Sequence, residues 1–252
     1  MARRKKSSPL ESLTILLVIF VQTIIIVLVR LIIFSYDVVT FHTSSYKEKS
    51  GNSFFKTYFN KGNYGEFHLY RKLIRLFGKP SVLTNIYLDN KNTETTEVDI
   101  LAITKNGIYV FEMKNYAGYI YGSENDQYWT QVFHKRSKFQ FYNPLKQNYA
   151  HTKAIENYLE LNKGLVIPIV VFSNRSKLNK INININQHVF QYKNTIKFIK
   201  KFEKTAVNLI SPDDKEEYLV KLIEKCNMSA EVKAKHIENI KEFVESQLSS
   251  SK

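Results

Sequence analysis

"EVDILAITKNGIYVFEMKN", Glu97 to Asn115, is two apolar runs joined by a short polar turn. "VDILAIT" and "IYVFEMK" are rich in β-branched and aromatic residues, and "KNG" between them is hairpin material, so the stretch reads as two antiparallel strands. Three charges interrupt them: Asp99 in the first strand, Glu112 and Lys114 in the second. Side chains alternate along a strand, which sends Glu112 and Lys114 to the side shared by Ile108 and Val110. An unpaired carboxylate among apolar neighbours is costly, and two side by side also repel each other. Residue chemistry offers two resolutions. One is a cross-strand salt bridge of Asp99 or Glu112 with Lys114. The other is a hard divalent cation between the acids, with Lys114 holding or activating a water. On spacing alone the salt bridge is the more economical reading, because a D…ExK pattern is common by chance.

Outward from this hairpin, "VLTNIYL" precedes it as a third strand behind the polar connector "DNKNTETT", which predicts an antiparallel meander. Upstream, "YGEFHLYRKLIRLFGK" places Phe67, Tyr70, Leu73, Ile74 and Phe77 at helical spacing, with Gly78 and Pro80 as the stop. Downstream come a strand at "YWTQVF", a helix over "NPLKQNYAHTKAIENYLEL" with Pro144 in its first turn, a strand buried on both faces at "LVIPIVVF", and a short strand at "HVFQY". The fold class is α/β, a mixed sheet flanked by helices. Ser211-Pro212-Asp213-Asp214 opens a helix running to about Cys226, and a further amphipathic helix is expected after Ser229. No internal repeat is visible.

At the N-terminus, Leu13 to Val29 carries no charge, and the apolar run resumes after Arg30 through Phe34. Those residues, as a helix, span ~33 Å, enough for the ~30 Å hydrocarbon layer, and Arg30 near the far end can snorkel. No small-residue cleavage motif follows the run, as a signal peptide requires. A transmembrane helix is therefore expected at 13–34, behind a basic segment at 1–12. "RRKK" before the span favours an N-terminus inside and a body outside, an argument blunted by Lys47, Lys49 and Lys56 behind it. Residues 35–59 read as a polar tether, 60–204 as the main domain and 205–252 as a C-terminal helical extension.

The chain has 252 residues, enough for one good core plus appendages, and a formal net charge of +14. Without residues 1–35 there remain 32 basic against 22 acidic residues, so the excess belongs to the folded part as well. Such a balance suits a polyanionic partner, either nucleic acid or an anionic membrane surface, although a lysine-rich soluble surface has the same composition. One cysteine, Cys226, excludes an intrachain disulfide and a cysteine-based zinc site. Walker A, G-x-G-x-x-G, G-x-S-x-G and H-E-x-x-H patterns are absent. The segment "FHKRSKFQFYN" interleaves Lys135, Arg136 and Lys138 with Phe139, Phe141 and Tyr142; it reads equally as a nucleic-acid contact and as an exposed hairpin tip. Gln147 and His151, one helical turn apart, read by themselves as a solvated face or a helix–sheet contact.

The ordered series "YGEFHLYRKL", "TTEVDILAITKNGIYVFEMKNYAGYIYG", "YWTQ" and "NPLKQNYAHTKAI" resembles the nuclease-related domain (NERD) family, a branch of the restriction-endonuclease-like PD-(D/E)xK superfamily. The similarity is strong over about residues 60–165 and leaves the C-terminal helices unexplained. It implies a restriction-endonuclease-like fold and a Mg²⁺- or Mn²⁺-dependent nuclease acting on nucleic acid, DNA before RNA. Asp99 and Glu112, with the Met113 carbonyl, would hold the metal, and Glu66 would complete or orient the shell. Lys114 would position the water, and Gln147 would touch phosphate or the lysine. The proline usual before the aspartate is replaced by Val98. Two other classes stay open: a tethered nucleic-acid-binding module without catalysis, and a membrane scaffold whose C-terminal helices recruit a partner.

Overall fold

The computed structural model describes residues 9–90, 94–133, 137–162, 164–226 and 238. The chain divides into two units, residues 1–43 and 44–252. The first holds one helix, α1 (Pro9–Thr43), whose apolar stretch has a mean hydropathy of 3.0 and none of whose most apolar window is buried. It is long and apolar enough to cross a membrane.

The second unit begins with α2 (Tyr46–Ser50) and α3 (Phe54–Phe59), so the stretch expected to be a tether is largely helical. Tyr46 is fully buried, its ring 5.0 Å from Phe67 and 5.1 Å from Tyr70, and the Tyr70 hydroxyl donates to the Ser44 carbonyl at 2.7 Å. Three aromatic rings hidden in one place explain why a polar-looking sequence is tied down here. Helix α4 (Lys61–Phe77) is capped by the Asn60 side chain, which accepts from the Asn63 amide at 3.0 Å. It ends at Gly78, whose φ of 85° suits glycine.

A five-stranded mixed sheet follows, in the order β1 (Val82–Asn90), β2 (Glu94–Thr104), β3 (Gly107–Lys114), β7 (Val166–Phe172), β9 (His188–Gln191). The first three form the antiparallel meander predicted from the turns, and β7 lies parallel to β3. Helices cover both faces. On one side, Leu83, Leu101, Ile103, Ile108 and Val110 pack with Ala154 and Ile155 of α5 (Pro144–Tyr158) and Leu222 of α7 (Pro212–Ile223). On the other, Tyr109 stacks on Phe77 of α4 at 5.9 Å and meets Phe202 of α6 (Tyr192–Thr205) edge-on, while its hydroxyl donates to Glu203 at 2.6 Å. Ser211 caps α7 as its sequence predicts, accepting from the Asp214 amide at 3.1 Å. The helix expected after Ser229 lies almost wholly outside the described residues.

A second, four-stranded mixed sheet runs in the order β6 (Ser137–Tyr142), β5 (Tyr128–Phe133), β4 (Gly118–Ser123), β8 (Ser176–Asn182). Its inner face, with Ile120, Trp129, Phe141 and Leu178, packs on Val170, Phe172 and Val189 of the first sheet. Trp129 lies parallel to Phe172 at 6.1 Å, and a Cβ on Gly122 would fall 2.3 Å from the indole, so glycine is required there. Strands β4, β6 and β8 and helix α6 were not foreseen. The sequences of the three strands are short, contain Gly, Asn or Lys, and are held by tertiary packing rather than propensity, whereas α6 does carry a helical spacing, with Thr195, Ile196 and Ile199 on its buried face.

Candidate active site

The predicted acids and lysine converge where β3 runs out. Glu112 is 1 % exposed; its Oε1 lies 2.6 Å from Lys114 Nζ and its Oε2 3.0 Å from His151 Nε2. Lys114 also donates to Gln147 Oε1 at 3.0 Å. The residues two apart on β3 thus share a side, as strand alternation requires, and α5 supplies the cover. Asn148 of the same helix donates to the Val110 carbonyl at 3.2 Å, and this fixes α5 against the strand.

Asp99 enters through an irregularity. The β1–β2 ladder pairs Thr84 with Ile100 and Ile86 with Val98 but omits Asn85 opposite Asp99, and Asn85 takes a left-handed φ of 53°. The apolar face consequently steps from Val98 to Leu101 on β2 and from Leu83 to Ile86 on β1, three residues at the break instead of two. Released from the ladder, the half-buried Asp99 accepts a hydrogen bond from the Met113 amide through Oδ2 at 3.1 Å, placing its carboxylate beside the backbone between Glu112 and Lys114.

Glu66 reaches the group from α4. The helix comes close to the end of β3 because residue 65 is glycine: a Cβ there would lie 2.7 Å from that of Asn115. The Asn115 amide donates to the Lys61 carbonyl, and Arg175 binds Asn115 Oδ1 at 3.0 Å, which pins the same corner from β7's exit.

The electrostatics follow from this crowding. Burial raises the Glu66 carboxyl to about 8, with the charges of Glu97 and Glu112 adding to it and Lys114 opposing. Asp99 is pushed well above the usual carboxylate range by burial and then by Glu112 and Glu66. For Glu112 burial acts the same way, but the adjacent Lys114 and the His151 hydrogen bond outweigh it, so the carboxyl is lowered and stays ionised. Burial disfavours the Lys114 ammonium, yet Glu112 and Asp99 overcome it and raise its pKa. One lysine therefore serves three clustered carboxyls, and two of these are driven toward the protonated form unless further positive charge arrives.

His151 is the residue that sequence reasoning undervalued. It is 3 % exposed, with Nε2 on Glu112 and Nδ1 2.7 Å from the Thr96 hydroxyl. Its position one turn after Gln147 was legible; what was missing was the direction of that helix face, which turns to the sheet rather than to solvent. Trp129 and Asn143 serve packing and helix capping. Asn143 caps α5 and donates to the carbonyls of Ser123, Glu124 and Asp126.

Of the basic–aromatic segment, Lys135 and Arg136 lie outside the described residues. Lys138 and Phe139 sit on β6 and are both exposed, but they point to opposite faces: Phe139 pairs with Gln131 on the inner side and Lys138 with Val132 on the outer. Strand alternation divides what looked in sequence like one mixed patch. A concavity of about 630 Å³ lies elsewhere, lined by residues that include Asp89, Glu124, Tyr142, Lys146, Tyr149 and Lys153; Glu66, Asp99 and Glu112 are not among them.

Among the described residues, no three or more His, Cys, Asp or Glu side chains are arranged to close round one ion. The donor set is nonetheless all hard oxygen and short of positive charge, the chemistry that suits a hard divalent cation which keeps part of its shell as water.

A family model, the nuclease-related domain, matches residues 61–173. A Bacillus anthracis protein described only as uncharacterized is 35 % identical over 181 residues, 70 % of this chain and 82 % of its own length. A crystal structure of a protein of unknown function, AF1548, aligns with 74 % of this chain and 98 % of its own at 14 % identity and a TM-score of 0.31, too low to bear on the fold. The matched span runs from the start of α4 to the end of β7 and encloses Glu66, Asp99, Glu112, Lys114 and Gln147, the residues brought together here: the chain belongs to the nuclease-related domain family.

Proposed function

We propose that this protein is a membrane-anchored, metal-dependent nuclease that hydrolyses phosphodiester bonds, DNA before RNA, with α1 as its single membrane span. The observation that carries the proposal is the gathering of Glu66, Asp99 and Glu112 round Lys114 at the end of β3, with more negative than positive charge. Asp99, Glu112 and the Met113 carbonyl would hold Mg²⁺ or Mn²⁺, with Glu66 completing the shell. A bound divalent ion would supply Lewis-acid polarisation of the phosphate and a more acidic water.

The chain's own groups account for the rest. Lys114, held between Glu112 and Gln147, carries its positive charge to where a phosphate's negative charge grows, and Gln147 fixes the ammonium's direction. His151 holds the second Glu112 oxygen, so that the carboxylate presents a fixed edge. The basic composition favours a polyanion over a neutral ester. The basic segment before α1 favours an N-terminus inside and the nuclease domain outside.

A non-cleaving binding module is the second reading. It is favoured by one observation: both Glu112 oxygens are already engaged, so coordination requires the Lys114 contact to loosen.

The test is plasmid nicking by the full-length protein in detergent micelles. Supercoiled plasmid is expected to be converted to open circles with Mg²⁺ or Mn²⁺ and to stay intact in EDTA. Intact plasmid under all metal conditions, with salt-sensitive binding retained, favours the second reading.

A further inference from the structure

The outer face of the second sheet carries no helix among the described residues, and its chemistry is one-sided. Strands β4, β5, β6 and β8 contain no Asp or Glu at all, while Lys138, Lys177 and Lys180 lie on them. The pairing register sorts the outward side chains into rows across the sheet. Lys177, Tyr119, Val132 and Lys138 form the first row; Asn179, Tyr121, Thr130 and Gln140 the second; Tyr128 and Tyr142 the third. Lys177 stands over the Tyr119 ring at 5.3 Å, and Tyr128 and Tyr142 meet edge to face at 6.1 Å. Tyr119, Tyr128 and Tyr142 remain about 40 % exposed.

We infer that this face is a stacking platform for single-stranded nucleic acid, which presents unpaired bases to the tyrosines and phosphates to the lysines. Exposed rings on a sheet face offer π-faces that every base can use, and the lysines carried on its strands attract the backbone. Lys177 and Lys138 close the first row at opposite edges, three interstrand steps or about 14 Å apart. The second sheet is joined in sequence to the candidate active site at two of its strand ends. β4 begins at Gly118, four residues after Lys114, and β6 ends at Tyr142, five residues before Gln147. An anionic bilayer is the other polyanion near a membrane-anchored chain, but a docking lipid face needs protruding apolar groups, and the outward positions here are tyrosine, threonine, asparagine, glutamine and lysine with a single valine.

The inference rests on the nucleic-acid reading of the proposed function and is separable from it by measuring binding in EDTA, where no cleavage contributes. Fluorescence anisotropy of a labelled oligothymidylate with the full-length protein in neutral detergent is expected to give roughly tenfold weaker affinity for Tyr119→Ala and for the Tyr128→Ala/Tyr142→Ala pair. Tyr119→Trp should restore wild-type binding, which separates stacking from fold damage. Lys138→Ala and Lys177→Ala should each lower the slope of log affinity against log salt by about 0.7. Duplex binding should fall far less in the tyrosine variants. Wild-type oligonucleotide affinity in all of them, including the result expected of a face that docks on lipid instead, overturns the platform and leaves the nuclease proposal standing if plasmid is still nicked with Mg²⁺. Loss of nicking with the tyrosine effect intact overturns the nuclease proposal alone.

Discussion

Replacing Lys114 with alanine is expected to lower metal-dependent plasmid nicking by about a thousandfold, the scale of losing a preorganised group that meets charge developing in the transition state. Oligonucleotide affinity measured in EDTA should change by less than about threefold, because one half-buried ammonium adds little to a basic surface. The lysine is charged at every working pH, since Glu112 and Asp99 raise its pKa, so its effect should not depend on pH between 6 and 9. Lys114→Ala also removes a partner of Glu112, a buried carboxylate, and stability should drop with it. Glu112→Gln separates the two effects. The amide keeps the shape and needs no counter-ion, so the fold should survive while nicking is lost to a similar degree. Nicking at wild-type rates in either variant would remove the pair from catalysis and leave a structural salt bridge.

His151→Leu should reduce nicking by about 10- to 100-fold and raise the metal concentration needed for half-maximal rate, the behaviour of a residue that orients a ligand rather than touching substrate. The leucine leaves Glu112 Oε2 buried without its donor, so the melting temperature should fall as well. His151→Gln, which can donate to Glu112, is expected to recover much of the stability and part of the metal response. A purely structural histidine would behave differently: the metal dependence would stay at its wild-type position while the melting temperature fell.

Much of this centre was legible in the amino-acid order. Two apolar runs around "KNG" dictated a hairpin, and the alternation of β3 put Glu112 and Lys114 on one side before any fold was known. The helical spacing of α4 and α5 and the doubly buried run of β7 were equally plain. What could not be read were features set by contacts distant in sequence. The turn of His151 toward Glu112 depends on how α5 docks, and the release of Asp99 depends on a left-handed Asn85 in the neighbouring strand. The separation of Lys138 from Phe139 depends on whether that segment is strand or loop, and the periodicity of "SKFQFY" did not decide it. Likewise the burial of Tyr46 required Phe67 and Tyr70 to be presented by a helix that the sequence places well downstream.

One lysine serves the clustered carboxyls of Glu66, Asp99 and Glu112, and a divalent ion is expected to relieve their shortage of positive charge. Thermal unfolding of the full-length protein tests it most directly, followed through Trp129, the chain's one tryptophan, which is buried against Phe172. The Glu66 carboxyl titrates near 4.5 when unfolded and at about 8 when folded. Between these values the unfolded chain holds fewer protons than the folded one, so stability falls as pH rises through that window. Asp99 acts in the same direction. In EDTA the melting temperature should therefore drop from pH 6 to pH 8.5 by several degrees more than in Glu66→Gln, and Mg²⁺ or Mn²⁺ should raise it more at pH 8.5 than at pH 6. A pH profile parallel to that of Glu66→Gln, with no response to either ion at pH 8.5, would contradict the account.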